Sequence, residues 1–324
     1  MATPALRALR QAQPRAAISL EIRPQLRELL DGTGLADRFL PSGNRSLRSE
    51  WARLRLLREA RFDWVVLFPD SPSSAAVPFL ARIPLRAGYA RGLLRRALLT
   101  SALAPPWEAG VRVPISMIER YLLITRSLGC EDPAEVKLEV VTQPAAAEQI
   151  AKRLANHGLD ARDGTFVVTP GASFGASKLW PPEHFARACD GISRERALRC
   201  VLAPGPGEEA IARAIAAQMR EPAVVLVEPV TRLAELVALI GRSELLLTND
   251  TGPRQLAVAL ATPAVVLMGP TDPRHTAHLL ERQRVLLEDV ACSPCHLKVC
   301  AIDHRCMTRL RPEFAVAAAR DLLS

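Results

Sequence analysis

The sequence predicts an α/β fold of two domains, each a parallel sheet covered by helices on both faces. Short apolar, β-branched runs alternate with helical patterns along the whole chain. Its 324 residues suffice for two domains of ordinary size. In the C-terminal half, two apolar runs open directly into small-residue loops that lead to helix starts.

The elements follow from this alternation. In the first half a helix is expected over 4–11, a strand over 17–22 and a helical turn over 23–30 ending at Gly32. An amphipathic helix over 51–61 leads into the strand at 64–68. A helix over 71–81, a strand at 86–89 and a helix over 115–128 ending at Gly129 come next. A strand at 136–141 precedes a linker, Thr142-Gln-Pro-Ala-Ala, and the domain boundary is placed there, giving domains 1–144 and 145–324.

The second half repeats the pattern. Helices are expected over 147–156, 182–193, 207–219, 231–240, 253–260 and 312–323, and strands over 165–169, 198–203, 223–227, 244–248 and 263–268. Ligands of open parallel sheets sit at the carboxyl ends of the strands. The loops at 170–178, 204–208, 228–231, 249–252 and 269–273 should therefore line one edge of the C-terminal domain.

Two of these loops carry anion chemistry. In Thr248-Asn-Asp-Thr-Gly252 an apolar run stops, and Asn249, Asp250 and Thr251 are placed to cap the helix that follows. Gly252 lets a ligand approach the backbone, and free N–H groups with the positive end of the helix dipole face that ligand. In Pro170-Gly-Ala-Ser-Phe-Gly-Ala-Ser-Lys178 a strand opens into a roomy loop that delivers one lysine ahead of a Pro-started helix. Two such sites in one half of a chain point to a nucleotide diphosphate.

Composition, 49% hydrophobic and 23% charged, is that of a globular protein. No run is long enough to span a bilayer, and the start resembles no signal peptide, so a cytoplasmic location is expected. The net charge is +8 and arginines concentrate at 45–61 and 82–96, which suits an anionic partner such as a phosphorylated glycolipid, or simply solvated helix faces. Aromatics are only 4% and no nucleic-acid-binding signature accompanies the charge, so nucleic acid is not an expected partner.

The stretches Pro170-Gly-Ala-Ser-Phe-Gly-Ala-Ser-Lys-Leu-Trp-Pro181, Thr248-Asn-Asp-Thr-Gly-Pro-Arg254 and Gly269-Pro-Thr-Asp-Pro273, with the cysteine-rich tail from Cys292 to Met307, together resemble the lipopolysaccharide heptosyltransferases of glycosyltransferase family 9, and within them the heptosyltransferase II group. The resemblance implies the GT-B fold, two Rossmann-like domains facing a cleft, with an N-terminal acceptor domain and a C-terminal ADP-sugar domain. It implies an ADP-L-glycero-D-manno-heptose donor, the lipid A–Kdo inner core as acceptor, and inverting transfer without a catalytic metal or other cofactor. A monomer in peripheral contact with the inner membrane is the matching expectation. Lys178 and Asp250 are then expected to serve the chemistry, and Ser173, Lys178, Glu208, Asp250, Thr251, Gly252 and Gln255 to bind the donor. Glu208, or its neighbour Glu209, would reach the nucleoside, or simply complement its own helix dipole. A related sugar-nucleotide transferase, or a nucleotide-sugar-binding protein without turnover, are the alternatives.

The chain departs from the family pattern twice. Gln255 stands where the family carries His; it can hydrogen-bond a phosphate or sugar but brings no proton charge. The family also begins with a strand and a Gly-Asp loop whose Asp serves as base, whereas this sequence starts inside that motif. The expectations are a longer natural N-terminus, a gap in the N-terminal sheet where the first strand is missing, and Asp70 as the substitute carboxylate. Finally, Cys292, Cys295, Cys300 and Cys306, with His296 and His304 nearby, have ligand-like spacing. A structural zinc or a redox-labile site is one reading; reduced thiols packing locally is the favoured one, because the second pair lacks the short spacing of zinc ribbons.

Overall fold

The structure, a computed structural model, describes residues 1–42, 46–108, 111–160 and 163–324; Arg45, at the edge of the first arginine-rich stretch, lies outside them. The chain divides into two units, residues 1–138 with 274–276, and residues 139–273 with 277–324.

The N-terminal unit opens with α1 (Thr3–Ala12), whose buried Ala5, Leu6, Ala8 and Leu9 repeat at helical spacing. β1 (Ser19–Ile22) and β2 (Arg38–Pro41) pair in parallel, with the short α2 (Arg27–Leu30) between them. α3 (Leu47–Ala60) is capped by Ser46, whose hydroxyl accepts from the Ser49 N–H at 3.2 Å. β3 (Trp64–Leu67), α4 (Pro72–Leu80), β4 (Leu85–Tyr89), α5 (Leu93–Leu98) and β5 (Ser101–Leu103) form a second parallel sheet in the order β3-β4-β5. Two short strands, β6 (Trp107–Glu108) and β7 (Val111–Arg112), pair antiparallel ahead of α6 (Met117–Arg126), which packs on α1. That helix starts at 117 rather than 115 because Ser116 caps it.

One expectation fails here. Residues 136–141 have strand-like alternation but no neighbouring strand to pair with, so they are not a strand. Strands β2 and β5 to β7 are too short to have been read.

In the second unit α7 (Pro144–Ala155) leads to β8 (Thr165–Thr169), α8 (Pro182–Arg196), β9 (Arg199–Leu202), α9 (Glu209–Ala216), β10 (Ala223–Val225), α10 (Leu233–Gly241), β11 (Leu245–Asn249), α11 (Gly252–Ala259), β12 (Ala264–Met268) and β13 (Gln283–Leu287). The short α12 (Arg305–Thr308) and α13 (Pro312–Leu322) close the chain. The sheet is wholly parallel, in the order β10-β9-β8-β11-β12-β13. Strands β8, β11 and β12 are buried at every position, so they read as unbroken apolar runs. Phe166, Val168, Leu245, Leu247, Val265 and Leu267 face one way, into a core completed by Trp180, Phe185 and Ile192. On the other face α10 packs against β8 and α7.

The chain works outward from β8 to β10, then returns to lay β11 on the other side of β8. Such a reversal of strand order is a topological switch point, where the two flanking loops diverge and leave room for a ligand.

Candidate functional site

The two anion loops leave the sheet on either side of that switch point. Thr169 and Thr248, paired in register at the ends of β8 and β11, are joined by a side-chain hydrogen bond of 2.6 Å. Asn249 then ties the loops together, its amide donating to the Pro170 carbonyl at 2.6 Å.

The loop after β8 depends on its glycines. A Cβ on Gly171 would sit 1.7 Å from the Glu208 carboxylate, and one on Gly175, at φ +154°, would lie 2.3 Å from the Lys298 carbonyl oxygen. The chain then tightens into a single 3-10 turn, Ala176–Lys178, and is pinned beyond it by buried Trp180, whose Nε1 donates to the Leu310 carbonyl at 3.0 Å.

Lys178 is therefore not a solvated lysine at a helix start: it is 8% exposed. Its Nζ lies 2.7 Å from both the Asp250 carbonyl oxygen and Asp250 Oδ2. The other carboxylate oxygen accepts from Arg254 at 3.0 Å, and Thr271, from the loop after β12, donates to Oδ2 at 3.1 Å. Arg254, 1% exposed, is held by Gln283 Oε1 at 2.7 Å. Burial opposes ionisation of Asp250, but Lys178 and Arg254 outweigh it and hold the carboxyl below its ordinary value. Two cations against one anion leave the group with one net positive charge.

Asp250 and Asn249 thus do not cap α11. The N-cap is Thr251, which makes no side-chain capping bond and instead donates its hydroxyl to the Asn249 carbonyl at 3.3 Å, while Asp250 turns to its cations and the Asn249 amide to the loop after β8. Gly252 opens α11, where first-turn amides lack intrahelical partners, and a Cβ there would meet nothing within 4 Å. A buried positive group and an open helix N-terminus therefore stand side by side, an arrangement fitted to a diphosphate.

Residues 51–305 match the sequence profile described as glycosyltransferase family 9 (heptosyltransferase). The chain belongs to that family. It is 30% identical over 235 residues to lipopolysaccharide heptosyltransferase 2 of Salmonella typhimurium, covering 71% of this chain and 66% of that enzyme. The matched stretch thus spans slightly less than two thirds of the relative. Among solved structures, a glycosyltransferase family 9 protein of Veillonella parvula superposes with a TM-score of 0.83 at 22% identity, covering 99% of this chain and 92% of that one. ADP-heptose lps heptosyltransferase II of Escherichia coli superposes with a TM-score of 0.79 at 23% identity, covering 99% and 94%. The fold expected from the sequence, GT-B, is that of these neighbours.

Around this group the remaining expected residues are placed unevenly. Gln255, on the first turn of α11, has Oε1 3.0 Å from Nε2 of His278. A carbonyl oxygen only accepts, so the His278 proton sits on Nε2 and the Gln255 amide NH2 turns the other way. Burial, then Arg254, pushes His278 down to about 4, so the ring is neutral. Glu208 accepts from the Gly205 N–H at 2.8 Å while lying against Gly171, and so bridges the loops after β8 and β9. Glu209 instead accepts from the Gly207 N–H at 3.1 Å. Ser173 is exposed at the turn of its loop. Asp70 belongs to the N-terminal unit, at the end of β3. One of its oxygens pairs with Arg120 and the other is buried without a partner.

The four tail cysteines are free thiols that line one cavity of about 170 Å³. Among the described residues no three His, Cys, Asp or Glu side chains converge as metal ligands. Sequence reasoning missed Arg254, Thr271, Gln283 and His278. Arg254 left a signal, one helical turn after Asp250, and Thr271 lay within the 269–273 loop expected at the ligand edge; Gln283 and His278 left none.

Proposed function

We propose that this family 9 chain is a glycosyltransferase that moves heptose from ADP-L-glycero-D-manno-heptose to the lipid A–Kdo inner core of lipopolysaccharide. The names of its relatives support the sugar and the product. The observation that carries the donor reading is the buried Lys178–Asp250–Arg254 group beside the N-terminus of α11.

As the bond from the sugar to ADP breaks, negative charge grows on the diphosphate, and fixed positive charge already facing it lowers the barrier. Lys178 is an ammonium with three N–H groups, and its two described bonds go to Asp250. The third is left for a phosphate oxygen, with the backbone N–H groups of Thr251 and Gly252 and the hydroxyl of Ser173 as further donors. The Gln255 amide, aimed by His278, donates to a phosphate or sugar oxygen. Glu208 meets the nucleoside. Because the protein supplies this charge itself, the reaction is read as independent of a metal. Both oxygens of Asp250 are engaged, which favours direct displacement with inversion over a covalent sugar–carboxylate intermediate.

The division of labour follows the two units: residues 145–324 bind the donor and residues 1–144 the acceptor, with Asp70 as the carboxylate nearest to the role of base. Exposed Leu47, Trp51, Leu93 and Leu94, on helices that also carry arginines, support peripheral contact with an anionic membrane surface. No described helix is long and apolar enough to cross a membrane. The working unit is read as a monomer.

The test is ADP release from purified protein given ADP-heptose with and without a lipid A–Kdo acceptor. Release that depends on the acceptor supports the reading. Donor binding without turnover would make the chain a binding protein instead.

A further inference from the structure

The loop at 292–306 braces the donor site at several points. Ser177, next to Lys178, donates through its N–H to the Lys298 carbonyl at 3.1 Å and through its hydroxyl to the Leu297 carbonyl at 2.5 Å. The Ser177 carbonyl in turn accepts from His304 Nε2 at 2.7 Å. On the side of β12, Ser293 donates to the Gly269 carbonyl at 2.6 Å, and the Cys295 and His296 N–H groups donate to the Pro270 carbonyl. The same loop carries four thiols around one cavity. Cys292 and Cys295 are exposed, Cys300 is half-buried, and Cys306 is buried against Gly269.

We propose that this cluster is a thiol-oxidation site coupled to the anion site, in which Cys300 closes a disulfide onto Cys292 or Cys295. Either bridge encloses Leu297 and Lys298, the two residues whose carbonyls hold Ser177. A disulfide holds its Cα atoms about 5.5–6 Å apart, so closing it constrains the backbone between them. Ser177 then loses its acceptors, and Lys178 loses the turn that presents it.

The surroundings suit exchange chemistry. Arg305 lines the cavity, the His304 N–H donates to Cys300 Sγ at 3.3 Å, and two thiols are open to solvent. Burial, with the neighbouring thiols, pushes Cys306 up to about 11, so it acts as wall rather than nucleophile. The oxidant is a small disulfide such as glutathione disulfide. The thiolate of Cys292 or Cys295 attacks one of its sulfurs and releases one glutathione. Cys300 then attacks the mixed disulfide and releases the second. The two protein thiols give up two protons and two electrons, and the glutathione disulfide becomes two glutathione thiols.

The coupling rests on the donor reading above, and the experiment separates the two. The full chain is treated with glutathione disulfide or kept reduced. Disulfides are located by peptide mass mapping, amide exchange is followed at residues 175–178, and ADP affinity is measured in both states. The expected result is a Cys300 bridge that dithiothreitol reverses, faster exchange at 177 and 178, and ADP binding weakened about fivefold or more. Cys300→Ser should bind ADP like the reduced protein and no longer respond to the oxidant. A bridge confined to Cys292 and Cys295, unchanged exchange at 177 and 178, or a tightly held zinc in the purified protein would overturn the proposal. Failure of the reduced protein to bind ADP would count against the donor reading, while the bridge and the exchange change would still test the coupling.

Discussion

Asp250 and Arg254 stand one helical turn apart, and their 3.0 Å ion pair turns the carboxylate away from the N-terminus of α11 and into the protein. The first turn of that helix is thereby left open to an external anion. Replacing Asp250 by Asn leaves two buried cations without their counter-charge. The expected cost is about 3–5 kcal/mol in denaturant unfolding. An unchanged midpoint would mean that the pair adds nothing.

Asp250 also sets an acid limit. Its folded carboxyl lies below its ordinary 3.8, so its stabilisation is full above about that pH and is lost as pH falls through the lower folded value. In the Asp250→Asn protein this part of the acid sensitivity should vanish, as read from unfolding midpoints across the acid range.

His278 acts at higher pH. The ring is held near 4 against an ordinary 6.5, so the unfolded chain binds a proton that the folded chain refuses. Stability should fall as pH drops from about 6.5 toward 4 and level off below. The loss should be about 2 kcal/mol, allowing for a ring that is partly open to solvent. His278→Asn should flatten that window. A slope that persists in the variant would place its source elsewhere.

Gly175 tests the loop itself. Alanine there would lie 2.3 Å from backbone at Lys298 and would hold a φ of +154°. A strain of about 1–3 kcal/mol must be relieved by moving the turn that carries Lys178. Donor KM should rise while the fold persists, as read by initial rates and circular dichroism. A variant with unchanged KM would show that the turn need not be held where it is.

Strands β8 and β11 and the loops after them were legible because a fully buried parallel strand is an unbroken apolar run and because glycine and small residues mark its exit. What those loops meet was less so. Lys178 and Asp250 are 72 residues apart, and local periodicity carries no trace of their contact. Asp250 was read as a cap because its local sequence fits one; the tertiary pull of two cations decided otherwise. Residues 136–141 misled in the opposite direction, since alternation makes a strand only where a partner edge exists. β13 escaped notice because it opens on two polar residues, Gln283 and Arg284, which leaves only three apolar ones, and Gln283 proves to accept from Arg254. The cysteine cluster was visible as spacing, but its grip on Ser177 was not.

The central claim is that Lys178 holds the diphosphate of the donor. Calorimetric binding of ADP and of adenosine to the native protein and to Lys178→Met tests it most directly. Loss of one charge-assisted hydrogen bond should weaken ADP by about 10- to 100-fold and leave adenosine unchanged. Equal weakening of both ligands, or of neither, would contradict it.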